Sequence, residues 1–193
     1  MATTVRKTDR QYTYAEYRQW PQEERWELIH GEAWSMSPAP SRKHQAITGE
    51  IFRQLANWLA GKPCSVYVAP FDVLLADPAS QSDDEVDSVV QPDVVVFCDQ
   101  GKLTDFGARG APDLAVEVLS PYTSKKDLND KFRLYEQHGV GEYWVVDPAG
   151  SIQSFVLDEH GSYSEPNVLV GGGQLSSRIL DGFTLDVAAL FTE

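Results

Sequence analysis

Two carboxylates set in short hydrophobic runs carry the clearest chemical signal in this chain: Asp93 in Gln91-Pro92-Asp93-Val94-Val95-Val96-Phe97, and Glu117 in Asp113-Leu114-Ala115-Val116-Glu117-Val118-Leu119. β-Branched and aromatic residues fill both runs and turn formers bound them, so each reads as a buried strand. A carboxylate taken out of water without a partner is costly, so it is protonated, salt-bridged or bound to a cation. Two such residues on neighbouring strands suggest a divalent-cation site. Simpler roles compete with that reading: Glu117 as the ion-pair partner of Lys131 or Arg133, and Asp93 as a turn cap after Pro92. Asp72, in Phe71-Asp72-Val73, is a further acid in an apolar run and a candidate to join the site.

The surrounding elements must position these groups. On the Glu117 strand a period of two puts Ala115, Glu117 and Leu119 on one face and Leu114, Val116 and Val118 on the other. Pro92 marks the start of the Asp93 strand. Residues 12–26 read as a partly exposed helix with Tyr14, Tyr17 and Trp20 on one side, and Trp26 to Met36 as a hairpin broken at His30-Gly31. Ser41 caps a helix whose apolar Ile47, Ile51, Leu55 and Trp58 recur at helical spacing, with His44 in its first turn and Gly61 and Pro63 at its stop. A second helix is expected near Ser124, where Ser124-x-x-Asp127 fits a capping box, with Leu128, Phe132 and Tyr135 as its buried stripe. Strands around Ser65 to Ala76, Glu142 to Val146 and Ser151 onward complete a mixed sheet flanked by helices, an α/β domain with an N-terminal hairpin and a β-rich tail.

Bulk properties narrow the class. At 193 residues the chain is expected to form one domain over 1–193, and 42% hydrophobic content with a mean hydropathy of -0.33 is ordinary for a soluble globule. No apolar run is long enough for a membrane helix and no signal segment opens the chain, so a cytoplasmic location is expected. Cys64 and Cys98 have no metal-type or redox spacing and are expected to be reduced, packed thiols. The net charge of -13 argues against non-specific nucleic-acid binding through a large basic surface, though acid clusters can hold metals. The cluster Asp83, Asp84, Glu85 and Asp87 reads as a solvated loop. No Gly-x-Ser-x-Gly element supports a serine hydrolase, and Gly171-Gly172-Gly173 lacks the Lys and Ser/Thr of a phosphate loop.

A Pro-Asp pair followed downstream by a Glu in a hydrophobic strand resembles the PD-(D/E)XK nuclease superfamily. There the Asp and Glu hold magnesium and a lysine two residues after the Glu assists the attacking water. In this chain Leu119 stands at the lysine position. The sequence is more closely similar to one branch of that superfamily, the Uma-two group of bacterial restriction-endonuclease-like proteins. Tyr12-Thr13-Tyr14-Ala15-Glu16-Tyr17, Trp26-Glu27-Leu28-Ile29-His30-Gly31-Glu32, Met36 to Ser41 with His44, and Gln91-Pro92-Asp93 carry the likeness. It continues through Glu117 to Pro121, Asp127, Lys131, Tyr135 and Gly141 to Asp147.

The resemblance implies a restriction-endonuclease-like fold and a hydrolase that cleaves DNA phosphodiester bonds with Mg2+ or Mn2+. Asp93 and Glu117 would bind the metal, with the carbonyl of Val118 completing its shell. Lys131, at the position to which this group displaces its lysine, would serve as the third catalytic residue. Glu32 and His44 would have supporting roles. A nuclease-fold protein without turnover, acting as a DNA-binding or assembly module, is the alternative, favoured by the acidic charge and the absent in-strand lysine. The expected partners are DNA and, because a double-strand break needs two sites and the tail offers strand edges, a second copy of the chain in a homodimer.

Overall fold

The computed structural model describes residues 10–21, 23–36, 39–76, 81–120 and 127–192, with the side chains of residues 127 and 128 outside that set. The expected Ser124 cap and the Leu128 member of the second helix's stripe therefore lie outside the described residues. The expected helix over 12–26 shrinks to one turn, α1 (Tyr14–Tyr17), where Glu16 Oε2 accepts from Thr13 N at 3.2 Å. Pro21 disfavours helical geometry at Trp20. The rings of Tyr17, Trp20 and Trp26 pack on one another instead of along a helix face.

Strands β1 (Trp26–Ile29) and β2 (Glu32–Ser35) form the expected hairpin. Its two central residues, His30 and Gly31, both have positive φ, 49° and 76°, as the two-residue turn between twisted strands requires. Helix α2 (Arg42–Leu59) begins where Ser41 Oγ accepts from His44 N at 3.2 Å, and it buries Ile47, Ile51, Leu55 and Leu59 along one stripe. Strands β3 (Ser65–Val68), β4 (Asp72–Leu74), β5 (Val89–Val90), β6 (Val94–Phe97), β7 (Leu103–Thr104), β8 (Gly107–Arg109) and β9 (Leu114–Val118) follow. A π-helical turn, Asp127–Lys131, then leads into α3 (Phe132–His138), which Gly139 ends at φ 79°. Leu134 and Tyr135 are its buried residues, while Phe132 is half-buried. The remaining strands are β10 (Glu142–Asp147), β11 (Ser151–Val156), β12 (Asn167–Val170), β13 (Gln174–Ser176) and β14 (Thr184–Asp186).

The expected mixed sheet is present in the order β12-β11-β10-β9-β6-β3, with β9 and β10 parallel and its other pairs antiparallel. A second six-stranded sheet, β2-β1-β5-β4-β8-β7, incorporates the N-terminal hairpin. Leu114, Val116 and Val118 of β9 pack with the α2 stripe and with Phe183 and Leu185. Ala115, on the opposite face, packs with Leu134 and Tyr135 of α3 and with Ile29, Val73 and Val90 of the second sheet. The alternation read along β9 thus sorts its residues into two different cores. Among the described strands the chain changes sheet five times, from β2 to β3, β3 to β4, β5 to β6, β6 to β7 and β8 to β9, the third change falling at Gln91-Pro92-Asp93. Pro92 has no N–H, so no donor is stranded where the ladders change.

Two further features bear on stability. The expectation of reduced thiols is corrected: Cys64 and Cys98 form a disulfide with Cα atoms 3.9 Å apart. Ser65 opposes Phe97 in the β3–β6 ladder, so extending that antiparallel register by one step brings the two cysteines face to face. Spacing in sequence does not reveal such a cross-strand pair. By closing the loop of chain between them, the bond is expected to stabilise the fold by about 3 kcal/mol. Reduction with dithiothreitol should lower the melting temperature by roughly 5–10 °C. An unchanged melting curve would rule that contribution out.

Glu142, at the start of β10, is fully buried. Its Oε1 accepts from Trp144 Nε1 at 2.7 Å and Ser154 Oγ at 3.0 Å. Its Oε2 accepts from Ser177 Oγ at 2.6 Å and from the N–H groups of Arg178 and Ile179 at 2.9 and 3.2 Å. This acid ties β10, β11 and the segment before β14 together. Among the described residues no helix is long and apolar enough to cross a membrane.

Candidate active site

The ladder between β6 and β9 pairs Val94 with Val116, so one further step of that register sets Asp93 opposite Glu117. Asp93 Oδ2 accepts from Val118 N at 2.8 Å, which fixes the carboxylate against the end of β9. From the α2 side, His44 Nε2 stands 3.2 Å from the same oxygen, and its Nδ1 lies 3.4 Å from Thr48 Oγ1 one turn along the helix. The Ser41 cap sets where α2 begins and so which residue of its first turn meets Asp93.

Glu117 lies on the face of β9 that also carries Ala115, where it meets the π-helical turn. Lys131, the last residue of that turn, places Nζ 2.7 Å from Glu117 Oε1 and 2.8 Å from Glu27 Oε1 of β1. Tyr135 donates its hydroxyl to Glu117 Oε1 at 2.8 Å. Burial, reinforced by the Glu117 carboxylate, pushes the Tyr135 pKa well above its ordinary value, so the ring remains a donor. Glu27, Glu117 and Lys131 are 1%, 4% and 2% exposed. Gln91 extends the network: its N–H donates to Glu27 Oε1 at 2.9 Å, and its side-chain oxygen accepts from Arg25 Nη2 at 2.7 Å. Its Nε2 donates to Asp72 Oδ1 at 2.7 Å, which also accepts from Tyr17 Oη at 3.1 Å. Burial raises the Asp72 pKa, and the hydrogen bonds from Gln91 and Tyr17 offset part of that rise.

These groups meet in a cleft of about 570 Å³ whose wall includes Arg25, Lys43, His44, Asp93, Glu117 and Lys131. The carboxylates of Glu27 and Glu117 share the single ammonium of Lys131 out of water, and the half-buried Asp93 stands beside them. Among the described residues no group of three or more His, Cys, Asp or Glu side chains is arranged to hold a metal ion. Two carboxylates with water, carbonyl or phosphate oxygens are nonetheless the donor set that suits magnesium, which seldom takes an all-protein cage. The oxygen donors of Asp93 and Glu117 are therefore of the type that suits a hard divalent ion.

The family described as Uma2, "Putative restriction endonuclease", matches residues 14–188. The chain belongs to the Uma2 family. It is 27% identical over 168 residues to an uncharacterized protein of Synechocystis sp., the match covering 85% of this chain and 81% of that protein. Its fold matches the crystal structure of a putative nuclease belonging to DUF820 from Anabaena variabilis, with a TM-score of 0.73 and 20% identity. That match covers 93% of this chain and 97% of the other. The restriction-endonuclease-like α/β architecture expected from the sequence is therefore the fold of this Uma2 chain.

Within that fold Asp93, Glu117, Lys131 and His44 converge on one cleft. Glu32 does not join them: it opens β2 opposite Ile29, outside the cleft wall. The acid that reaches Lys131 from this hairpin is Glu27. It escaped the sequence reading although its setting, Trp26-Glu27-Leu28-Ile29, is the same acid-in-an-apolar-strand signal that marked Glu117. Asp72 belongs to the network behind the cleft, linked to Lys131 through Gln91, whose backbone N–H meets Glu27, and then through Glu27. Leu119 packs against the core on the Glu117 side, and Lys131 reaches Glu117 from the π-helical turn.

Proposed function

We propose that this Uma2 chain is a metal-dependent endodeoxyribonuclease that hydrolyses phosphodiester bonds in DNA, with Asp93, Glu117 and Lys131 as its catalytic residues. The observation that supports this reading is the buried Lys131 ammonium shared by Glu27 and Glu117, with Asp93 opposite Glu117 in the register of β6 and β9. Asp93 and Glu117 would hold Mg2+ or Mn2+, which when bound supplies Lewis acidity toward water and offsets charge on phosphate. Val118 N and His44 keep the Asp93 carboxylate oriented. Lys131 presents an ammonium where negative charge builds on the attacked phosphate. Tyr135 holds Glu117 in place from below, and Arg25 and Lys43 on the cleft wall are suited to phosphate oxygens.

The reading carries with it a cytoplasmic location, DNA as substrate, and a homodimer for double-strand cleavage. Purified protein given Mg2+ or Mn2+ is expected to nick or cut plasmid DNA, and EDTA is expected to stop it. Failure of the metal-loaded protein on plasmid, single-stranded and branched DNA alike would sink the assignment. The alternative, a nuclease-fold module without turnover, is favoured by the net charge of -13 and by the direct Lys131–Glu117 ion pair, which a retired site would also keep. It predicts DNA binding without cleavage in the same assays.

A further inference from the structure

We propose that Glu27 is a positioning residue of this site: it anchors Lys131 to the second sheet, so that Glu117 can engage a cation without leaving the buried lysine unpaired. The inference rests on the nuclease reading for its purpose, though not for its test. Lys131 is displaced from the strand that carries Glu117 to a π-helical turn outside the sheet. An in-strand lysine would be aimed by the sheet itself. A lysine on a turn, with a flexible four-carbon stem, needs a second anchor to hold its ammonium in one place.

Glu27 supplies that anchor. Its Oε1 lies 2.8 Å from Lys131 Nζ and accepts from Gln91 N at 2.9 Å, so its own position is fixed by the backbone beside Asp93. At 1% exposure it is more deeply buried than Glu117. Lys131 Nζ is shared between the two carboxylates at nearly equal distance, 2.7 Å to Glu117 and 2.8 Å to Glu27. With a single partner, the lysine would compete directly with any cation for Glu117, because breaking that pair would strand a buried charge. With two partners, Glu117 can turn part of its charge toward a cation while Glu27 continues to satisfy Lys131. Outer-shell groups of this kind commonly control metal affinity.

The test uses the full chain and two readouts that need no turnover. Mn2+ binding is followed by electron paramagnetic resonance, and the reactivity of Lys131 toward reductive methylation is followed by mass spectrometry. In Glu27→Gln, which keeps an acceptor for Gln91 N but loses the charge, Mn2+ affinity is expected to fall roughly tenfold or more, with a comparable rise in Lys131 labelling. Glu27→Asp keeps the charge and shortens the reach, so both effects should be intermediate. If the charge acted only through space, the Asp variant would match wild type in both readouts and the proposal would be wrong. Lys131 labelling at the wild-type rate in both variants would overturn it equally. Should Glu27→Gln fail to fold, the Asp variant decides alone. Wild-type protein that binds no Mn2+ would remove the nuclease reading, while the labelling result would still judge the anchor.

Discussion

Glu117→Gln is expected to abolish cleavage, lowering the rate on the order of 10³-fold or more, while leaving the metal-free fold at least as stable as wild type. The two halves of this expectation have separate causes. Loss of activity follows because the amide removes one of the two anionic oxygen donors available to a hard cation. Retained stability follows because the substitution removes one of the two buried carboxylates that share the single ammonium of Lys131. Lys131 keeps Glu27 at 2.8 Å, and the amide oxygen can still accept from Tyr135. Plasmid nicking with Mn2+ measures the first half, and thermal unfolding in EDTA the second. Wild-type nicking by the variant would show that Glu117 is a structural acid only. Collapse of the fold would show that the cluster is tuned for stability rather than for a cation.

The largest stability effect is expected at a different acid. Glu142→Leu should lower unfolding stability by about 5 kcal/mol, since each of three buried donors left without an acceptor costs about 1–3 kcal/mol. These donors are Trp144 Nε1 and the hydroxyls of Ser154 and Ser177, and the part-buried N–H groups of Arg178 and Ile179 lose the same acceptor. A loss of that size is comparable to the whole stability of many domains. The leucine variant should therefore be largely unfolded at physiological temperature. Glu142→Gln retains one acceptor oxygen but turns an amide N–H₂ toward existing donors, so it should fall between. Urea denaturation followed by tryptophan fluorescence reads the midpoint directly, and a midpoint in Glu142→Leu equal to wild type would contradict the role assigned here. Because Glu142 stands apart from the cleft wall, any activity lost in Glu142→Gln should track the fraction unfolded.

What could be read in the sequence was local in origin. The alternation along β9 depends on a period of two, so the separation of Glu117 from Val116 and Val118 needed no tertiary information. The α2 stripe and its Ser41 cap are legible for the same reason, and they carried His44 to the site. What could not be read depends on pairings between distant segments. Glu27 and Glu32 lie in one hairpin and look alike as sequence. Only the docking of β1 beside β5 brings Gln91 N within 2.9 Å of Glu27 and so selects it. The division into two sheets is hidden because β4 and β5 are short valine-containing strands with no mark of which ladder they join. The Cys64–Cys98 bond is hidden because it follows from the β3–β6 register rather than from cysteine spacing. The N-terminal helix failed because aromatic clustering outweighed a weak helical pattern once Pro21 interrupted it.

The crossing of the chain between sheets at Gln91-Pro92-Asp93 has a consequence for how the protein is made. Glu27 arrives from the second sheet, Asp93 from the seam, Glu117 from the middle of the mixed sheet and Lys131 from the turn that follows it. No supersecondary unit contains all four, and loop-closure entropy delays contacts between segments so far apart along the chain. The cleft is thus assembled only when both ladders have formed and docked. Partly folded chains, including those still emerging from the ribosome with residues beyond Glu117 unsynthesised, hold the acids apart and the lysine absent. Assembly of the cleft is in this way reserved for the finished molecule.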